Sequence, residues 1–157
     1  MRRALSKLLA VLALLPAGLA VAQPAPAYDE AADARADVQR ALADADQARV
    51  PVLVVFGANW CGDCKVLDLA FKSGAAAPLI QRSFRVVKVN VGRFDRNLDL
   101  ADRYGVPLKQ GIPAVAVLSP QGTALYATRA GELADARTMG DSGIHDFFAR
   151  VAANAPR

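Results

Sequence analysis

Five consecutive apolar residues, Val52-Leu53-Val54-Val55-Phe56, run into a Gly57-Ala58-Asn59 turn, Trp60, and then Cys61-Gly62-Asp63-Cys64. A run that short, continuous and β-branched reads as a strand buried on both faces. From Cys61 to Lys72 the period becomes helical, with Val66, Leu67, Ala70 and Phe71 on one side. A strand buried on both faces needs a layer on each side, so the pattern calls for a sheet with helices against both faces.

The other elements agree with that plan. Asp29–Ala48 is Ala-rich, acidic in its first turn, and places Val38, Ala41, Leu42 and Ala45 on one helical face before Pro51. Phe84–Val91 is a second strand of alternating character. Asn97–Tyr104 is a short helix ended by Gly105. Ala114–Leu118 and Ala124–Ala127 flank Pro120-Gln121-Gly122 and form a hairpin. Gly143–Ala153 is the last helix, striped by Ile144, Phe147, Phe148 and Val151. Strands separated by helices pair in parallel, and the hairpin adds antiparallel strands. The expected fold class is α/β, a mixed central β-sheet with helices on both faces.

Length and composition narrow the class. The 157 residues suffice for one domain with a core, and 54% hydrophobic content argues against disorder. Two cysteines cannot staple a small disulfide scaffold. The net charge of +4 owes much to Arg2, Arg3 and Lys7. Without them 16 basic residues face 15 acidic ones, so a nucleic-acid partner finds little support. Those three precede an apolar run, Leu8 to Ala22, closed by the small residues Ala20 and Ala22. This is the three-part pattern of a secretory signal, with cleavage expected after Ala22. The run is shorter than the roughly 20 residues that span a bilayer. The expected organisation is a signal over residues 1–22, a Pro/Ala-rich tether over 23–28 and one domain over 29–157. In a bacterial setting the address is the periplasm, where disulfides persist.

The chemistry centres on the Cys-x-x-Cys. At a helix N-terminus, unpaired N–H groups and the dipole favour an anion, which lowers the thiol pKa of Cys61 and makes it a nucleophile. Cys64, one turn on, is close enough to attack a mixed disulfide formed on Cys61. Gly62 and Asp63 lie between them, and Trp60 shelters the exposed sulfur. Ahead of the hairpin stands Gly111-Ile112-Pro113-Ala114. A cis bond at Pro113 would lay the Ile112 backbone beside the cysteines as an edge for a substrate backbone; by itself Pro113 is also an ordinary proline at a strand start.

Phe56–Lys65, Val87–Val91 and the stretch from Tyr104 to Pro113 together resemble the thioredoxin superfamily, over roughly Ala48 to Val151. The resemblance implies a thioredoxin-like fold, with Cys61 attacking, Cys64 resolving, Pro113 cis and Lys88 near the buried second sulfur. The secreted members, which include proteins described as disulfide isomerases, are the nearest match. Four departures stand out. Gly-Asp replaces Gly-Pro between the cysteines, and Asp63 brings a charge that disfavours a nearby thiolate. Val55 replaces a buried acid. Pro107–Gln110 lengthens the approach to Pro113. Glu132–Asp141 is an extra stretch before the last helix.

The function these features imply is periplasmic thiol–disulfide exchange, as reductase or isomerase because Asp63 opposes the thiolate that makes strong oxidants. The partners expected are disulfide- or thiol-containing proteins and a membrane-bound electron donor. No cofactor is implied. The alternative is a copper(I) carrier using the two thiolates; a third reading is an adaptor whose cysteines are incidental. His145 and the acids Asp95, Asp99 and Asp102, expected on one short helix, read as solvated surface.

Overall fold

The structure is a computed structural model that describes residues 25–155. The expected signal, and the first part of the tether, lie outside the described residues. Ten elements follow in order: α1 (Ala34–Ala48), β1 (Val52–Gly57), α2 (Gly62–Ser73), α3 (Ala77–Ser83), β2 (Arg85–Asn90), α4 (Leu98–Arg103), a 3₁₀ turn (Leu108–Gln110), β3 (Ala114–Leu118), β4 (Ala124–Ala127) and α5 (Ala136–Asn154).

The strands form one sheet in the order β2-β1-β3-β4. β1 pairs with β2 in parallel, from Val52 opposite Arg85 to Gly57 opposite Asn90. β1 pairs with β3 antiparallel, from Val52 opposite Leu118 to Phe56 opposite Ala114. The β3–β4 pair carries a register shift between Val117 and Leu118. The central strand β1 is buried along its whole length. Its alternate side chains feed two cores, as a two-residue strand period requires. Val52, Val54 and Phe56 meet α1 and α4 through Val38, Ala41, Ala45, Leu100 and Ala101. Leu53 and Val55 meet α2, α3 and α5 through Leu67, Phe71, Ile80, Ile144 and Phe148. The mixed sheet with helices on both faces is the fold the sequence pattern calls for.

Four local departures have physical causes. α1 begins at Ala34 rather than Asp29, because Asp33 is its cap: the carboxylate accepts from the backbone N–H groups of Arg35 and Ala36, each at 3.1 Å. Asp29 instead closes a small turn, accepting from the Ala31 N–H at 2.8 Å. α3 was not among the helices read from the sequence. It spans only seven residues and carries a proline at its start, where no helical N–H is lost. α5 begins at Ala136 rather than Gly143, and bends at Gly140, whose φ of 67° suits a residue without Cβ. Asp95 stands in the loop before α4 rather than on it.

The α2–α5 layer rests on aromatic packing. Phe148 is fully buried, with ring centroids 4.9 Å from Phe71 and 5.0 Å from Phe147, both edge-on. Truncation leaves a cavity that neighbouring helices cannot fill. Phe148→Ala is expected to lower unfolding free energy by about 3–5 kcal/mol. Urea denaturation measures it; a loss below about 1 kcal/mol would show that this layer does not depend on the ring.

Candidate active site

β1 ends at Gly57, and the chain turns through Ala58, Asn59 and Trp60 to start α2. Cys61 is the N-cap of α2, in extended conformation (φ −80°, ψ 114°). Its Sγ accepts from the Cys64 backbone N–H at 3.1 Å, as a Ser or Asp cap oxygen would. The two cysteines form a disulfide with a Cα–Cα distance of 5.2 Å. Both are buried, Cys64 completely. A sulfur that already takes a helical N–H in the disulfide is placed to keep that bond as thiolate, where the bond gains charge assistance.

The surroundings come from three other segments. The Ile112–Pro113 peptide bond is cis, and the Ile112 carbonyl oxygen lies 3.5 Å from Cys61 Sγ. Trp60 is 49% exposed. Its indole N–H donates to the Gly92 carbonyl at 2.7 Å, and its ring stands edge-on to Phe94 at 5.9 Å. Phe94, Leu98, Pro107, Leu108 and Gly111 line an open groove. This apolar shelf is joined to the motif through the Trp60–Phe94 contact, and Leu108–Gln110 forms part of its wall.

Asp63 is buried and points to α5. Its Oδ1 accepts from the Arg137 backbone N–H at 2.9 Å and from Arg137 Nε at 3.2 Å. Burial pushes its carboxyl pKa up, but the Arg137 backbone N–H and guanidinium outweigh that and hold it below the ordinary carboxylate value. The expected opposition of Asp63 to a thiolate is therefore largely compensated by Arg137. The guanidinium also covers Gly62, where a Cβ would meet Arg137 Nη1 at 3.3 Å. The extra stretch Glu132–Asp141 thus braces the motif. It buries Leu133 and Ala136, and Asp141 accepts from the Ala75 N–H at 2.9 Å beyond the end of α2.

Lys88 is on β2 and its ammonium pairs with Asp68 on α2, one turn beyond Cys64. Burial pushes the Lys88 pKa below the ordinary lysine value. Asp68 also pairs with Lys72 at 2.7 Å. The Lys88 charge is thus met by a carboxylate rather than by a sulfur. Val55 faces the α2–α5 core, with no acid in its place. His145 is on α5, bonded to Asp146 at 3.1 Å, and Asp99 pairs with Arg35; both stand on the surface. Among the described residues no group of three or more His, Cys, Asp or Glu side chains comes together as a metal site.

Arg137 and Asp68 escaped the sequence reading, and so did two further residues of the site. Asn59 clamps the backbone of Tyr28 at two points, accepting from its N–H at 2.9 Å and donating to its carbonyl at 2.8 Å. Tyr28, assigned above to the tether, is 1% exposed and sits in the core beside Gly57. The available signal was Tyr28 itself, the one aromatic residue before Phe56.

The thioredoxin-like family matches residues 33–120. The chain is 40% identical to thioredoxin 1 of Chlorobaculum tepidum over 68 residues, 43% of this chain and 59% of that one. It is 36% identical to a Pseudomonas aeruginosa thioredoxin over 90 residues, 57% of this chain and 74% of that one. The crystal structure of a disulphide isomerase from Xylella fastidiosa superposes with a TM-score of 0.77 at 49% identity, covering 84% of this chain and 98% of that one. Fold and paired cysteines define a thiol–disulfide oxidoreductase. The chain belongs to the thioredoxin-like family.

The Asp63–Arg137 contact has a pH signature. A carboxyl whose folded pKa is depressed adds stability above its unfolded pKa of about 3.9, and that stability is lost as pH falls through the folded value. Asp63→Asn is therefore expected to cost stability at pH 7 and progressively less below about pH 4. Urea titrations of both proteins at pH 7 and pH 3 check it; an equal gap at both would show that the charge of Asp63 contributes nothing.

Proposed function

We propose that this protein is a periplasmic thiol–disulfide oxidoreductase that works as a reductase or isomerase through Cys61-Gly62-Asp63-Cys64. The observation that carries the reading is the buried cysteine pair capping α2 against the Ile112 carbonyl. The isomerase assignment draws on the likeness to the Xylella disulphide isomerase, the reducing direction on the part of the Asp63 charge that Arg137 leaves uncompensated, and the compartment on the secretory pattern that ends at Ala22.

In this reading the Cys61 thiolate attacks one sulfur of a substrate disulfide. The substrate S–S bond breaks and its other sulfur leaves as a thiolate, which takes up a proton. A mixed disulfide now joins Cys61 to the substrate. The Ile112 carbonyl, 3.5 Å from Cys61 Sγ, receives a backbone N–H of an extended substrate, and the Phe94–Leu98–Leu108 shelf receives its apolar side chains. Cys64 loses its proton and attacks Cys61 Sγ, releasing the second substrate sulfur. The substrate has gained two electrons and the protein ends as the Cys61–Cys64 disulfide. If Cys64 does not attack, a substrate thiol can displace Cys61 instead, and the net result is isomerisation. A membrane-bound dithiol donor returns the pair to the reduced state. Lys88, Gly62 and Trp60 support the site by packing and pairing rather than by touching the reacting sulfurs.

Two measurements test this. Cys64→Ser is expected to accumulate a mixed disulfide with a disulfide-bonded protein, seen by non-reducing mass spectrometry, while Cys61→Ser gives none. Loss of bound copper(I) without any trapped adduct would favour the carrier reading instead. The reduction potential of the pair, equilibrated against glutathione, is expected nearer the reducing end of the roughly −270 to −120 mV range of this fold. A value at the oxidising end would make the protein a disulfide donor.

A further inference from the structure

Cys64 poses a problem that the mechanism above leaves open. It is fully buried, and burial in apolar surroundings raises a thiol pKa. It must nevertheless become a thiolate to resolve the mixed disulfide. Its apolar neighbours include Val54, Phe56 and Val89. The charged groups of the surrounding segments are already engaged. Asp63 is held by Arg137, Asp68 by Lys88 and Lys72, and Glu30 accepts from Asn59 Nδ2 at 3.0 Å. The cis-proline loop contributes Ile112 and Pro113, which do not titrate.

One polar group remains. A Cβ built on Gly57 would overlap the Tyr28 hydroxyl and ring carbon, and would meet Cys64 Sγ at 2.9 Å. Phenol and sulfur therefore share the space over the Gly57 Cα. Tyr28 is held there by the two-point clamp from Asn59, which belongs to the turn that delivers Cys61. The placement of Tyr28 is thus tied to the motif itself. It precedes the stretch that the thioredoxin-like family matches.

We propose that Tyr28 is the positioning residue for the resolving thiol: its phenol O–H donates to Cys64 Sγ when the pair is reduced and stabilises the buried thiolate. The inference rests on the exchange reaction proposed above. Burial pushes the Tyr28 pKa well above the ordinary phenol value, so the group keeps its proton and stays a donor across the range in which a thiol titrates. In the disulfide or the thiol the sulfur carries no charge and is a weak acceptor; as the thiolate it is a strong one. Tyr28 takes no proton from the thiol. The Cys64 proton leaves to water, and the phenol lowers the cost of its leaving.

The test uses Tyr28→Phe, which keeps the ring and removes only the hydroxyl. Ultraviolet titration of the Cys64 thiolate in a Cys61→Ser background is expected to show its pKa rise by about one unit, a tenfold change, on adding Tyr28→Phe. In stopped-flow oxidation by glutathione disulfide, formation of the mixed disulfide on Cys61 is unchanged. Resolution by Cys64 slows only about threefold at neutral pH, because a more basic thiolate is also a stronger nucleophile. Above the thiol pKa the order reverses and the variant resolves faster. A loss of packing alone would slow resolution at every pH and produce no crossing. Asn59→Ala, which loosens the clamp and leaves the hydroxyl, is expected to move the same profile in the same direction by less, and serves if Tyr28→Phe does not fold. An unmoved Cys64 pKa in the folded variant, or slowing without a crossing, overturns the proposal. A wild-type protein that forms no mixed disulfide would instead overturn the exchange reaction, and the titration would still decide the role of Tyr28.

Discussion

The position of both sulfurs depends on β1 being held from two sides. Its side chains enter two separate cores, and it pairs with β2 on one edge and β3 on the other. A strand so fixed has no freedom to slide, since a one-residue slip would exchange the contents of the two cores. The turn after Gly57 inherits that rigidity. Cys61 is then delivered to the end of α2, whose own Leu67, Ala70 and Phe71 are locked against the Leu53–Val55 face. β3, the neighbour of β1, begins right after Pro113, so the Ile112 carbonyl is registered to the same strand that carries the cysteines. Sulfur and carbonyl meet at 3.5 Å because one pairing fixes both.

On that frame, charge decides how the site behaves. The N-terminus of α2 favours a thiolate on Cys61 by roughly 0.3–1 kcal/mol at an exposed end and up to about 2 kcal/mol where partly buried. An unpaired acid at Asp63 would work against it. Instead the first turn of α5 brings Arg137 over the motif and binds the carboxylate through backbone and side chain. The bend at Gly140 lets that first turn approach α2 while the rest of α5 packs its Phe147–Phe148 pair below. The segment that lengthens the chain before the last helix therefore adjusts the electrostatics of the cysteines as well as bracing them.

Periodicity made most of the architecture readable. The stripe of α2 carries a helical period, β1 is marked by a short β-branched run ending in a turn, and the hairpin by Pro120-Gln121-Gly122. The cysteine pair was equally plain, because strand, motif and helix follow one another without interruption. What stayed hidden was held by side-chain geometry over long separations. Asn59 reaches back 31 residues to Tyr28, and Asp63 reaches forward 74 residues to Arg137. No local pattern marks such contacts. The helical first turn at Ala136 is broken from the Ile144–Val151 stripe at Gly140, so no continuous period reaches it, and α3 is too short to show one.

The absence of an acid at position 55 and the presence of a phenol at 28 bear on one another. A buried carboxylate beside a buried thiol can accept its proton, but it also repels the thiolate that results, and its own desolvation is costly. A neutral donor accepts nothing, yet stabilises the thiolate without adding charge. With Val55 completing the α2–α5 core, the second sulfur is served from the opposite side of β1, where Gly57 leaves room. The N-terminal segment can then do for Cys64 what the end of α2 does for Cys61, namely supply a donor to the anion. Each sulfur is assigned a donor fixed by a different part of the chain, which lets the two thiols differ in pKa within a motif of four residues.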